Sequence, residues 1–155
     1  MTPTKEQLAH RARKAEAAFR EAFAALQAEG KVDNGEWDPN DFENMKRQRD
    51  GMTRLSELAE TALSLAHAAY RCELESNKAN YSLFKRLDKK SEAAGKWEFY
   101  IKPLTADLKM FRMLTPTVDN NWYQDPTGRH EKRYRGIDSW TDRVRDGELE
   151  GVDPF

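Results

Sequence analysis

The stretch LAHRARKAEAAFREAFAALQAEG, Leu8–Gly30, decides how the rest of the chain is read. Within it Leu8, Ala12, Ala15, Phe19, Ala22 and Leu26 follow one another at alternating spacings of four and three. That is the seam of a helix lying along a partner helix, not a broad stripe facing a globular core. Alanine fills nine of the twenty positions from Ala9 to Ala28, so helix propensity is high and seam volume small, and the partner must approach closely. Thr4 and Gln7 have the form of a capping box at the start, and Gly30 is read as a left-handed stop at the end.

The partner follows a turn-rich link. Residues 31–40, KVDNGEWDPN, carry Asn34-Gly35 and Asp38-Pro39, pairs that favour turns and make this the hinge of a helical hairpin, with Asp38 as cap and Pro39 at the first position of the next helix. Met52, Leu55, Ala59, Ala62, Ala66 and Ala69 then repeat the seam spacing and its small side chains. Gly51 lies inside this helix, at a cost of about 1 kcal/mol relative to alanine. Past Cys72 the seam turns polar at Glu73, Ser76 and Asn80, and apolar residues return on a rotated stripe through Leu74, Tyr81, Phe84 and Leu87. Either a new helix begins near Asn77, or one rod runs over 42–92 with a length of about 77 Å.

Downstream, WEFYIK after Gly95 is read as a short strand, and Leu104 to Leu114 as an amphipathic helix stopped by Thr115-Pro116. From Val118 on, Asn, Asp, Gly and Pro recur among charges and aromatic residues. This is read as a mostly extended arm with one short helix capped by Ser139. The expected fold is therefore all-α: a long antiparallel helical hairpin plus short helices and an extended C-terminal arm, divided as 1–95, 96–117 and 118–155.

Composition limits the function classes. The 155 residues suit one compact domain, but hydrophobic residues are only 38% and charged ones 34%, which implies a thin core. Lys plus Arg number 26 against 27 Asp plus Glu, a net charge of -1, so bulk charge does not drive the chain onto nucleic acid or membrane. The single cysteine, Cys72, allows no internal disulfide and fits a cytoplasmic setting. No apolar run approaches the roughly 18 residues that a bilayer demands, so no membrane association is expected.

The arm carries the candidate partner-binding residues: Trp122, Tyr123, Arg129, Arg133, Tyr134, Arg135, Trp140 and Phe155. Arginine and large aromatics are the preferred anchors of protein interfaces. The same types also suit single-stranded nucleic acid, cations tracking phosphates while rings stack on bases. On that alternative Lys85, Arg86, Lys89 and Lys90 join Arg129 and Lys132 as the nucleic-acid-binding set.

The ending DGELEGVDPF, residues 146–155, resembles the acidic Pro-Phe tip of bacterial single-stranded DNA-binding proteins, whose last residues recruit repair and replication enzymes. Here the acids are interrupted by Gly147, Leu149, Gly151 and Val152, and no β-rich pattern for that family's oligonucleotide-binding barrel is read elsewhere.

Catalytic motifs are lacking. His10, His67 and His130 stand at no ligand spacing from one another, and the acid-rich 33–44 loop puts Gly35 and Trp37 where calcium ligands belong. No phosphate loop or nucleophile elbow is found. No cofactor, metal or catalytic residue is therefore expected. The sequence points to a non-enzymatic helical assembly or adaptor protein acting by protein–protein interaction or self-association, of the kind that builds virions and other large complexes. The alternative is a nucleic-acid-associated accessory or inhibitor protein.

Overall fold

The computed structural model describes residues 2–155. Helix α1 spans Lys5–Gly30, α2 Phe42–Asn80 and α3 Leu83–Lys96; a π-helical turn, Trp97–Ile101, leads into α4, Lys102–Leu114. Strands β1 (Asn121–Gln124), β2 (Lys132–Arg135), β3 (Trp140–Asp146) and β4 (Leu149–Val152) follow. They pair in chain order as a four-stranded antiparallel meander. The fold is α+β, so the expected all-α class is wrong, and the extended arm is a sheet.

The chain forms two compact units. One comprises the residues through Val32 together with Arg54–Met113; the other comprises Asp33–Thr53 with Leu114–Phe155.

In the helical unit the two alanine-rich seams meet as the periodicity predicts. Phe19 and Leu26 of α1 are buried with Ala59, Ala62, Ala66 and Ala69 of α2. Antiparallel register is visible in the ion pair of Arg54 with Glu29, at 2.7 Å, and in Asn80 donating to the Lys5 carbonyl at 3.3 Å. Thr4 and Gln7 form the capping box, each accepting the other's backbone N–H. Gly30 is no left-handed stop. The helix ends through Lys31, in the right-handed region at φ -94°, whose N–H returns to the last turn.

The rod of 42–92 is two helices. It breaks at Tyr81-Ser82, where the Ser82 side chain accepts from the Lys85 N–H and caps α3. WEFYI is not a strand but the π-helical turn. This wider turn seats Trp97 against His67 and Tyr70 of α2 while Tyr100 meets Phe19 and Phe23 of α1, all with edge-on ring contacts. Ile101, Leu104 and Leu108 complete the core. Lys96 at the end of α3 bridges Glu16 of α1, at 2.9 Å, and Glu73 of α2, at 3.1 Å. Burial lowers the Lys96 pKa and the two carboxylates raise it; their effect is the larger, so the amine titrates above its ordinary value.

In the sheet unit α2 begins three residues later than the Asp38-Pro39 pair suggests. Asp41 serves its first turn, accepting from Glu43 N–H at 3.0 Å, whereas Asp38 closes an Asx turn onto Asn40 N–H. The buried Asn44 amide holds the preceding loop from both ends, donating to the Glu36 carbonyl at 2.6 Å and accepting from Asp38 N–H at 2.8 Å. One turn on, Gln48 donates to the carbonyls of Asn34 and Gly35. Gly51 has a steric reason here: a Cβ would lie 2.6 Å from the Asn34 amide nitrogen.

Candidate interaction surfaces

Strand alternation sorts the proposed partner-binding residues onto two faces of the sheet. Tyr123 and Arg133 stand opposite one another on the inner face, and both are 0% exposed. The Tyr123 hydroxyl donates to the Val118 carbonyl, and burial pushes its pKa up. Trp140 and Arg135 pack over Phe42 of α2, with ring centroids 5.3 Å apart and the guanidinium carbon 4.5 Å above the Phe42 ring. Tyr123 and Arg133 are shut off from solvent, while Arg135 and Trp140 are half-buried against Phe42.

Arg133 is the centre of a closed polar network. Its Nε donates to Asp125 Oδ1 at 3.0 Å, one Nη to the carbonyls of Thr141 and Asp153, and the other Nη to Asp153 Oδ2 at 2.8 Å. The Phe155 ring lies 5.0 Å from the guanidinium carbon. Burial alone would raise the Asp125 carboxyl. Hydrogen bonds from Arg133, from the Thr127 side chain and backbone, and from the His130 N–H outweigh it and hold the group far below the ordinary carboxylate range. Arg129 adds contacts to the Pro154 carbonyl and to Asp153, both at 3.0 Å. The His130 ring contacts Asp146, which lowers the pKa of that carboxyl. The acidic Pro-Phe ending is thus folded: Leu149–Val152 is a strand and Asp153–Phe155 is clasped by arginines. It does not form a free tip of the kind it resembles.

The outer face is different in kind. Trp122 and Tyr134 pair across β1 and β2 with centroids 5.3 Å apart. Arg145 lies 4.3 Å over the Trp122 ring, and Arg143 4.6 Å over the Tyr134 ring. Glu150 of β4 pairs with Arg143 and, at 3.8 Å, with Arg145. Lys132 stands in register beside Arg145. Arg143 and Arg145, which complete this face, were missed because the segment was read as a capped helix rather than a strand.

The basic cluster of the helical unit lies on α3. Lys85 and Lys90 are exposed and Arg86 is half-buried, while Lys89 pairs with Glu92 at 3.2 Å. Beside them runs a ridge not chosen as a site. Leu83, Phe84 and Leu87 are 71%, 84% and 65% exposed. Spacings of three and four place Leu83, Phe84 and Leu87 side by side on one helix face.

Among the described residues, no group of three or more His, Cys, Asp or Glu is placed to hold a metal ion. No helix among them is long and apolar enough to cross a membrane. No family model, no curated protein and no solved structure matches this chain.

Proposed function

We propose that this chain is a non-enzymatic assembly or adaptor protein that works by protein–protein contact, docking through the Leu83, Phe84 and Leu87 ridge of α3. The observation that carries the reading is the exposure of that ridge. Contiguous large apolar side chains on a helix face mark an interaction surface, and an amphipathic helix presenting them at these spacings fits an apolar groove. Lys85, Arg86, Lys89 and Lys90 flank the ridge, and Asp88 is the one acid between them. Like charges oppose pairing of two α3 helices, so the occupant is a different protein whose groove is bordered by carboxylates. The lone, unpaired Cys72 suits a reducing cytoplasm.

Site-specific photocrosslinking tests this. A photoreactive residue at position 84 should join one protein species through an acid-bordered apolar surface. The same residue at exposed position 14 should not. Equal adducts from both positions would count against the reading.

A second reading rests on the outer face of the sheet, where Lys132, Arg143 and Arg145 surround Trp122 and Tyr134. Such a face would take an acidic or phosphate-bearing strand, and affinity for single-stranded nucleic acid would then fall steeply with salt. The guanidinium groups already stacked on Trp122 and Tyr134 leave less ring surface for bases, which places this reading second.

A further inference from the structure

Between α2 and α3 lies a cavity of about 200 Å³ lined by Tyr70, Leu74, Asn77, Lys78, Arg86 and Lys90. The lining follows from helical spacing: positions 70, 74, 77 and 78 share one stripe of α2, and 86 and 90 stand one turn apart on α3. Its chemistry is one-sided. Three of the six side chains are cations, none is a carboxylate, and Lys78, Arg86 and Lys90 form no ion pair within 4 Å among the described residues.

Two residues of this lining, Asn77 and Arg86, each carry a hydrogen-bond donor with no acceptor. Asn77 Nδ2 and Arg86 Nε are both shielded from solvent and unpartnered, and Asn77 as a whole is only 9% exposed. Buried donors are almost always paired in folded proteins, so two orphans on the wall of one basic cavity point to a group that would pair with them. That group accepts hydrogen bonds and carries negative charge. Tyr70 and Leu74 supply the apolar part of the lining.

We infer that this cavity binds a small organic anion, a carboxylate or phosphate head joined to a compact apolar group. The head accepts from Asn77 Nδ2 and Arg86 Nε while Lys78 and Lys90 balance its charge, and the apolar group lies against Tyr70 and Leu74. The cavity shares Arg86 and Lys90 with the flank of the exposed ridge, but small-anion binding is measured on the chain alone and so stands or falls apart from the docking proposal.

The test titrates the full chain with phenyl phosphate, phenylacetate and inorganic phosphate, following the Asn77 side-chain amide and Arg86 Nε–H resonances by NMR. At least one aromatic probe should saturate with a single site and shift both resonances. Inorganic phosphate, lacking the apolar group, should bind at least about fivefold more weakly. Arg86→Met and Asn77→Leu should each weaken the better probe by about tenfold or more, a charge-assisted contact being lost. Thermal melting separates loss of the site from loss of the fold, and whichever variant melts like the wild type is decisive. Preference for phenyl phosphate assigns the site to phosphates, and preference for phenylacetate to carboxylates. The inference is overturned if neither aromatic probe saturates by about 10 mM, or if a folded variant binds as the wild type does.

Discussion

Arg133 Nη2 lies 2.8 Å from Asp153 Oδ2, so a residue of the middle of the sheet grips one near the end of the chain. Both Asp125 and Arg133 side chains are fully shielded from solvent in this cluster. Taking charges out of water is costly, and here the cost is met by four polar contacts to one planar group. Arg133, which the sequence offers as a partner-binding residue, is buried at the centre of this network.

The first prediction concerns that centre. Arg133→Met leaves the buried Asp125 unpaired and should destabilise the sheet unit by on the order of 3–5 kcal/mol. Arg133→Lys should recover only part of the loss, because an ammonium cannot reproduce the forked geometry. Denaturant titration followed by tryptophan fluorescence measures both, and a loss under about 1 kcal/mol would show that the clasp holds little.

Acid should undo the same network. The Asp125 carboxyl is held far below its ordinary value in the folded state. Its stabilising contribution is therefore complete above about pH 3.9, the unfolded value, and declines as pH falls from there toward the folded value. Asp125→Asn should flatten the acid limb of a stability-against-pH curve and lower stability near neutrality. An unchanged acid limb would remove Asp125 from the account.

The alanine seam yields a third prediction. Ala62 and Ala66 are buried with Phe19 and Leu26 of α1, Ala62 with no exposure. Ala62→Leu adds volume with nowhere to go and should cost about 1–3 kcal/mol, despite leucine's good helix propensity. The matched change at exposed Ala17 should be nearly neutral. Circular-dichroism melts of the two variants compare them directly.

How much of this was legible depends on the range of the signal. The hairpin was readable because its seams repeat over many turns of α1 and α2, and the Thr4–Gln7 capping box is a local signature. The break at Ser82 was only half visible, since Leu74, Tyr81, Phe84 and Leu87 keep an apolar rhythm across it. The sheet was missed for a different reason. Its inner face is filled by Tyr123, Arg133 and Val144, and a buried arginine disrupts the apolar alternation that marks a strand.

Turn chemistry held the clue to the sheet. Gly147-Glu148 makes the two-residue β3–β4 turn between the paired Asp146 and Leu149, with Gly147 at φ 61°, and glycine at the first position of such a loop is a hairpin signal. Asp125-Pro126-Thr127-Gly128 likewise turns β1 into β2, with Asp125 accepting from Thr127 N–H and Gly128 at φ 75°. The exposed ridge of α3 could not be told from a core stripe by spacing. Only the absence of anything packed over it distinguishes the two, and that is a tertiary fact.

The most direct measurement is the affinity of the protein captured at position 84 for wild type and for Phe84→Ser/Leu87→Ser, by calorimetry. Burying each side chain is worth on the order of 1.5–3 kcal/mol, so the double variant should bind at least about a hundredfold more weakly, with an unchanged melting temperature. Equal affinity of the two proteins would contradict docking through α3.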